Sequence, residues 1–271
     1  MARAPWIVAG LAAAACHRGD GSRAADHADN DPQATCQPPG DGRFVTALRG
    51  AVTEPDPRAA ATLTRKGYAL DTAGISLALA GDSDPTAQLA ALTAVAALQC
   101  RGLLSRVEVL LAAPSPTAVD AAATLAELGT PAQHTRAVAR LHDAMLDPAW
   151  PEVQVTAAAY LARAGDAASI LAIRAALRSP NEAVRLQAVV SISAFAGFDG
   201  RTPDDQPFAR LPELTAVLTD PATSWLVRRE AVYQVANLPA SADRAALLAR
   251  IAAEDPDARV RRAAALRIDH P

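Results

Sequence analysis

The sequence predicts an all-α protein built from stacked two-helix units, and three observations lead to this prediction. Apolar residues recur with a period of about 3.6 from about residue 43 onward, and no stretch shows the sustained alternation that marks a strand. Hydrophobic residues make up 51% of the chain but aromatic residues only 4%, so Ala, Leu and Val form the core. An Asp or Ser also precedes a Pro at similar intervals: Asp84-Pro85, Ser115-Pro116, Asp147-Pro148, Ser179-Pro180, Asp220-Pro221 and Asp255-Pro256.

These Asp-Pro and Ser-Pro pairs define the repeat. Their prolines are 31, 32, 32, 41 and 35 residues apart, a period typical of stacked supersecondary units. An Asp or Ser side chain accepts from the free N–H groups at a helix start, and Pro suits the first helical position, where no donor is needed. We therefore expect each pair to begin a helix. Amphipathic stretches such as 103–113, 168–179 and 243–254 precede the pairs, so each unit comprises two helices joined by a capped turn.

A second regularity lies in the helices that come after the pairs. The last three carry the pattern V-R-x-x-A, whose spacing of four places Val and Ala on one helix face. The matches are Val184-Arg185 with Ala188, Val227-Arg228 with Ala231, and Val260-Arg261 with Ala264. Earlier helices keep the Ala without the Arg, at Ala91, Ala123 and Ala157.

A two-helix unit with D-P in its turn and V-R-x-x-A in its second helix resembles a HEAT repeat. The short period is similar to that of the HEAT-like repeats named for phycobilisome lyases. The resemblance covers about residues 70–271, with an earlier unit from Arg43 whose turn is Asp56-Pro57. It implies a right-handed α-solenoid of about six to seven HEAT-like repeats within residues 42–271. HEAT arrays serve as curved binding surfaces, but a shared fold transfers neither a partner nor a chemistry.

Residues 1–15 resemble a bacterial signal peptide. Arg3 precedes about ten apolar residues, a stretch too short to span a membrane as a helix. The segment ends in Ala-Ala-Ala-Cys, which is similar to a lipobox and would make Cys16 the lipid-carrying N-terminus. The departure is that Leu11 lies two residues upstream of the usual Leu position. Two alternatives are ordinary cleavage near residues 13–15 and a buried first helix.

Residues 16–41 form a predicted flexible tether between the signal peptide and the repeat domain at 42–271. They lack apolar periodicity and are rich in Gly, Pro, Asp, Asn and Ser, a composition that favours a solvated, extended linker. In Gram-negative lipoproteins an Asp after the lipidated Cys commonly signals inner-membrane retention. Because His17 stands there instead, the resemblance points to the outer membrane.

The three cysteines are consistent with export. If Cys16 is acylated, Cys36 and Cys100 remain as one pair in an oxidising compartment. A disulfide between them would close a long loop and stabilise the fold by roughly 4 kcal/mol on the chain-entropy model. In the alternative, Cys100 is a small buried apolar residue and Cys36 is an exposed thiol.

Known catalytic and cofactor motifs do not occur in the sequence. It holds no G-x-S-x-G, H-E-x-x-H, C-x-x-C or Gly-rich phosphate loop, so we predict no catalytic residue and no cofactor. His134 and His142 are eight residues apart, which is too far for a metal-binding pair on one helix, and we predict no metal site. The insertion at 198–210 contains aspartates without EF-hand spacing and is interpreted as a surface loop.

Arginines concentrate in the second helices of the last three units. With Trp225 they form the candidate binding surface: Arg185, Arg228, Arg229, Arg259, Arg261 and Arg262. The HEAT resemblance implies that these helices line the concave side, where the arginines would face an acidic peptide, protein, glycan or lipid head group. In the alternative, the arginines pair with turn acids such as Asp220 and Asp255 in a ladder between units, and Trp225 fills a gap between units.

Together these features predict an exported, lipid-anchored scaffold that binds a protein or an acidic ligand and is not an enzyme. Its lipid anchor would hold it at the periplasmic face of the outer membrane. The formal net charge of −3 argues against nucleic acid as a partner. One alternative is a bilin lyase or isomerase, which the related repeat family suggests and the export signal opposes. Another is a structural or assembly factor of the cell envelope.

Overall fold

The computed structural model describes residues 57–80, 84–113, 116–164, 166, 168–195, 200–202 and 206–268. Of these residues 77% are helical, in 13 α-helices and three short 3-10 helices, which confirms the all-α class. The predicted signal peptide, tether and first turn, with Cys16, Cys36 and Asp56, lie outside the described residues. The described residues form two compact units, one ending at Ala144 and one beginning at Met145.

The N-terminal unit is a series of helices with small buried side chains. It contains α1 (Pro57–Arg65), α2 (Thr72–Ala78), α3 (Pro85–Leu98), α4 (Leu104–Val109), α5 (Thr117–Leu128) and most of α6 (Pro131–Leu146). Short 3-10 turns at Arg101–Leu103 and Leu110–Ala112 flank α4. Helix α3 packs against α1, α2 and α5, and its Ala87, Ala91 and Ala94 are fully buried. Such small side chains let neighbouring helices approach closely.

The start of α3 agrees with the sequence prediction. Asp84 is its N-cap, with Oδ1 accepting from the N–H of Thr86 at 2.7 Å, and Pro85 occupies the first turn. Lys66 donates to the other carboxylate oxygen of Asp84. This hydrogen bond, with the one from Thr86, lowers the pKa of Asp84 from 3.8 to about 2. The capping carboxylate is therefore ionised at neutral pH and complements the helix N-terminus.

The C-terminal unit consists of two rows of helices. Its elements are α7 (Pro151–Arg163), α8 (Ser169–Leu177), α9 (Glu182–Ser191), α10 (Arg210–Thr219), α11 (Trp225–Ala236), α12 (Ala242–Glu254) and α13 (Ala258–Ile268). In the first row α7, α9, α11 and α13 pack each on the next, and in the second row α8, α10 and α12 do the same. The two rows alternate along the chain, as predicted for two-helix units.

The V-R-x-x-A motif lies in first-row helices, and its apolar positions are buried as predicted. Val184, Val227 and Val260 are 7%, 1% and 0% exposed. The alanines four residues later, Ala188, Ala231 and Ala264, are all fully buried. They belong to a continuous core that extends from Val155 to Ala264. The motif therefore marks the face that holds this row of helices together.

The turn pairs correct one prediction, because four of them precede the helix start instead of forming it. In these four the Asp or Ser oxygen accepts from the N–H two residues on, at 2.9–3.1 Å; they are Asp147, Ser179, Asp220 and Asp255. In each case that N–H lies before the first residue of the helix, so the hydrogen bond closes a turn and does not cap the helix. Separate residues act as caps, Asn181 for α9 and Ser224 for α11. Helix α5 likewise begins at Thr117 without a side-chain cap.

The predicted insertion contains a short antiparallel ribbon, with β1 at Gly200–Arg201 and β2 at Pro207–Phe208. Phe208 is 2% exposed and stacks on Phe195, with ring centroids 5.2 Å apart. The Arg174 guanidinium donates to Glu213 at 2.9 Å and to the carbonyl of Pro207 at 2.6 Å. The end of the insertion is therefore anchored in the core. Its aspartates at 199, 204 and 205 lie outside the described residues.

We expect Ala188→Trp to lower the free energy of unfolding by more than about 1 kcal/mol. Ala188 is fully buried in α9, so a larger side chain would overpack the contact between helices. Chemical denaturation followed by circular dichroism measures this loss. The control is Ala246→Trp at an exposed position of α12, which should change the free energy by less than about 0.5 kcal/mol. An unchanged unfolding curve for Ala188→Trp would remove this residue from the close-packed core.

Candidate functional site

Arg185 lies inside the fold, where it joins two consecutive turns. The residue is 9% exposed. Its Nε donates to the carbonyl of Ser179, in the turn before its own helix, at 2.8 Å. Its Nη1 reaches the next turn, donating to Thr223 Oγ1 at 2.9 Å and to Asp220 Oδ2 at 3.3 Å. These contacts leave little of the guanidinium for a ligand.

Arg228 repeats this arrangement one unit later. Its Nη1 donates to the carbonyl of Thr223, in its own turn. Nε and Nη2 donate to the two carboxylate oxygens of Asp255 at 2.9 and 3.1 Å, which is a bidentate pair. Both residues are buried, Arg228 at 8% and Asp255 at 5% exposure. We call the contacts of Arg185 and Arg228 the arginine ladder, because each joins its own turn to the turn of the next unit.

Two guanidinium groups lie over the indole ring of Trp225, at the start of α11. The guanidinium carbon of Arg259 lies 3.5 Å from the ring centroid, and that of Arg229 lies 5.2 Å from it. Arg259 also binds Asp257, with Nη2 to Oδ2 at 2.7 Å, and this hydrogen bonding holds the pKa of Asp257 well below its usual range. The indole is partly buried against the core. Trp225 thus packs between α11 and α13 while keeping part of its surface accessible.

Three arginines of the series have no carboxylate partner among the described residues. Arg229 is half-buried, and its Nε lies buried without a hydrogen-bond acceptor. Arg261 Nη1 donates to the carbonyls of Asp255 at 2.7 Å and Pro256 at 3.2 Å. Arg262 is exposed on α13. Their positive charges are therefore not neutralised by ion pairs within the described part of the chain.

The positions of these arginines are set by the repeat. The dipeptide Arg-Arg comes directly after Val in both α11 and α13, at Arg228-Arg229 and Arg261-Arg262, and the two helices pack together. Arg229 and Arg262 therefore hold equivalent positions on neighbouring helices. We define the basic patch as Trp225 with the four accessible arginines: Arg229, Arg259, Arg261 and Arg262. The other two predicted residues, Arg185 and Arg228, belong to the arginine ladder.

Sequence reasoning missed a second aromatic–cation pair on the same two helices. The guanidinium of Arg267 lies 5.1 Å from the ring centroid of Tyr233. Tyr233 is eight residues after Trp225, and Arg267 is eight after Arg259. This shared spacing of two helical turns was a signal that could have predicted the pair. The two pairs join α11 to α13 at both ends of their contact.

The part of the chain that the structure describes contains neither a metal-binding cluster nor a membrane-spanning helix. Among the described residues no cluster of three or more His, Cys, Asp and Glu side chains is placed to hold a metal ion. His134 donates through Nδ1 to the carbonyl of Ala126 at 2.8 Å. None of the described helices combines the length and apolar character that a membrane span requires. Cys100 is fully buried and disulfide-bonded, whereas Cys16 and Cys36 lie outside the described residues.

Comparison with known proteins gives no relative for this chain. No protein-family model matches it, and no curated protein and no solved structure matches it. The resemblance to HEAT repeats therefore stays a prediction from the sequence motif.

The Arg228–Asp255 pair is expected to be strongly coupled. Arg228→Gln should destabilise the protein by about 3 kcal/mol or more, because it leaves the carboxylate of Asp255 buried without its cation. In a double-mutant cycle with Asp255→Asn, the second substitution should cost much less in the Arg228→Gln background than in the wild type. Denaturant unfolding provides all four free energies.

The exposed pair between Arg259 and Asp257 is the matched control for this cycle. Because solvent screens it, Arg259→Gln and Asp257→Asn should show a much smaller coupling than the buried pair. Equal coupling in the two cycles would contradict a structural role specific to the arginine ladder.

Proposed function

We propose that the chain is a right-handed α-solenoid of HEAT-like repeats that binds a macromolecular partner and catalyses no reaction. Two features support this architecture. First-row and second-row helices of the C-terminal unit pack in chain order, and the V-R-x-x-A motif recurs at the contact. Stacked units of this kind provide extended surfaces for binding other proteins.

The partner in this proposal is a protein segment rich in Asp and Glu, and the basic patch is its binding site. The observation that carries it is that Arg229, Arg261 and Arg262 have no carboxylate partner among the described residues. Clustered unpaired cations attract anionic groups and raise the rate of encounter with them. Trp225 adds an aromatic surface, and Trp and Arg are the residue types that dominate binding energy at protein interfaces.

A protein partner fits this site better than nucleic acid does. The cations are confined to two neighbouring helices, while the whole chain carries a formal net charge of −3. Nucleic-acid binding depends on neutralising many phosphates along an extended basic surface. A short acidic segment needs only the few guanidinium groups of the basic patch.

The proposal includes export and a lipid anchor, which rest on the sequence of residues 1–16. An apolar stretch behind Arg3 ends in Ala-Ala-Ala-Cys, so cleavage would leave Cys16 as the acylated N-terminus. Residues 17–41 would then separate the repeat domain from the membrane surface. In this setting the basic patch would meet partners in the periplasm, at the inner face of the outer membrane.

Charge reversal of the basic patch tests the binding site. We expect Arg229→Glu/Arg262→Glu to reduce recovery of one specific partner by at least about tenfold in a crosslinking pull-down from native envelope. The substitutions repel an acidic segment, and neither residue belongs to the arginine ladder, so the variant should fold. Circular dichroism and a thermal melt verify the fold.

The matched control is Arg178→Glu/Arg250→Glu. Both arginines are exposed, and this double substitution changes the net charge of the chain by the same amount. It should leave recovery of the partner unchanged. A partner list that is the same for wild type and for the patch variant would refute binding at the basic patch.

Lipidation is tested separately at Cys16. Intact-mass spectrometry of the mature protein from its native membrane should show a diacylglyceryl group on an N-terminal Cys16, and Cys16→Ser should release the protein from the membrane fraction. Cys36→Ser is the control and should leave the protein in that fraction. An unmodified mature protein that begins elsewhere would exclude the anchor while leaving the basic patch unaffected.

A further inference from the structure

Arg261 is the third arginine of the V-R-x-x-A series, and its hydrogen bonds can be compared with those of the arginine ladder. Arg185 and Arg228 each divide the guanidinium between two targets. One nitrogen donates to a carbonyl of the turn before the arginine's own helix. Nη1 of Arg185, and Nε and Nη2 of Arg228, donate to side chains of the next turn.

Arg261 makes the first of these two sets of contacts. Its Nη1 donates to the carbonyls of Asp255 and Pro256, in the turn before α13. Its Nε and Nη2 have no acceptor among the described residues. In Arg228 the same Nε and Nη2 hold the two oxygens of Asp255. Arg261 is thus held by its turn, and no described residue occupies the carboxylate-binding edge of its guanidinium.

The surface of α13 next to Arg261 has the character of a helix contact. Helix α13 packs on α11 and α12, and on the face that bears Arg261 it exposes Ile268, seven residues later, at 43%. Small residues, Ala258 and Ala265, are also exposed on this helix. An exposed Ile, small residues and an oriented arginine therefore share this face of α13.

We propose that this surface of α13 binds a helix of another protein that presents an Asp or Glu to Nε and Nη2 of Arg261 and covers Ile268 with an apolar side chain. The inference rests on the proposed function, because Arg261 and Arg262 belong to the basic patch, and it adds the secondary structure and the anchoring carboxylate of the partner. The internal precedent is the bidentate Arg228–Asp255 pair, which forms as α13 packs on α11.

The charge of α13 favours this partner over a second copy of the chain. The helix sequence ARVRRAAALRI contains four arginines, Arg259, Arg261, Arg262 and Arg267, and no acid. Two copies meeting through this surface would bring like charges together, which is unfavourable in an interface. An anionic lipid surface would also neutralise the arginine charges. Such binding does not depend on the orientation that the turn carbonyls give to the guanidinium of Arg261.

Site-specific photocrosslinking in the full-length protein tests the proposal. p-Benzoylphenylalanine is placed at Ile268, or at Ala265 in a second variant, and irradiated in native cells. The crosslinked peptide is identified by mass spectrometry. We expect one protein adduct at both positions, from a helical partner segment with an Asp or Glu, and its yield should fall at least about tenfold with Arg261→Gln. The same probe at Arg250 should not form this adduct.

A charge swap then tests the contact itself. Arg261→Glu should abolish the adduct, and Arg substituted for the identified partner carboxylate should restore it. Adducts with lipid, with a second copy of this chain or within the same chain would overturn the proposal, as would no adduct or one insensitive to Arg261→Gln. If Arg229→Glu/Arg262→Glu still abolishes partner recovery in those cases, the basic patch binds its partner by another geometry.

Discussion

The packing of the C-terminal unit depends on an arginine that connects each turn to the next. Arg185 and Arg228 are buried, and each donates both to a carbonyl of its own turn and to a side chain of the following turn. Burying such charges is costly unless the geometry is good and the remaining donors are satisfied. In Arg228 the bidentate pair with Asp255 provides the good geometry, and the hydrogen bond to the turn carbonyl satisfies the remaining guanidinium nitrogen. Since a displaced helix would leave a buried carboxylate unpaired, the ladder fixes the register between units.

The alanines of the same motif make this ladder possible. Ala188, Ala231 and Ala264 are fully buried where first-row helices meet, and side chains of this size bring the helix backbones close together. A guanidinium on one helix can then reach the turn that precedes the next helix. Apolar contact supplies most of the stabilisation through burial, but it is not directional. The hydrogen bonds between the arginine and the turn aspartate are directional, so they orient one helix relative to the next. The Val and Ala of V-R-x-x-A therefore stabilise the contact, whereas its Arg fixes the geometry of the contact.

The sequence was sufficient to predict the two-helix units and the buried Val and Ala positions, because helical periodicity is a local property that a spacing of four expresses directly. It was insufficient at the turns. Asp220 and Asp255 can cap a helix or close a turn of their own, and the choice depends on where the next helix must start to pack on its neighbour. It also left open which arginines are buried. The reach of Arg228 to Asp255 is a tertiary contact across 27 residues, and the motif position alone does not predict it, because Arg261 holds the same position and contacts only turn carbonyls among the described residues.

One motif position can therefore hold the fold and, in the function we propose, also prepare a binding site, and the outcome depends on whether a turn aspartate lies within reach. Arg185 and Arg228 find such an aspartate, and their charge is neutralised inside the protein. Arg261 is oriented by the same kind of turn carbonyl, yet its Nε and Nη2 have no acceptor among the described residues. An arginine already fixed in this way loses little side-chain entropy when a carboxylate binds. The turn that belongs to the repeat thus orients Arg261 within the basic patch, and no additional residue is needed to orient it.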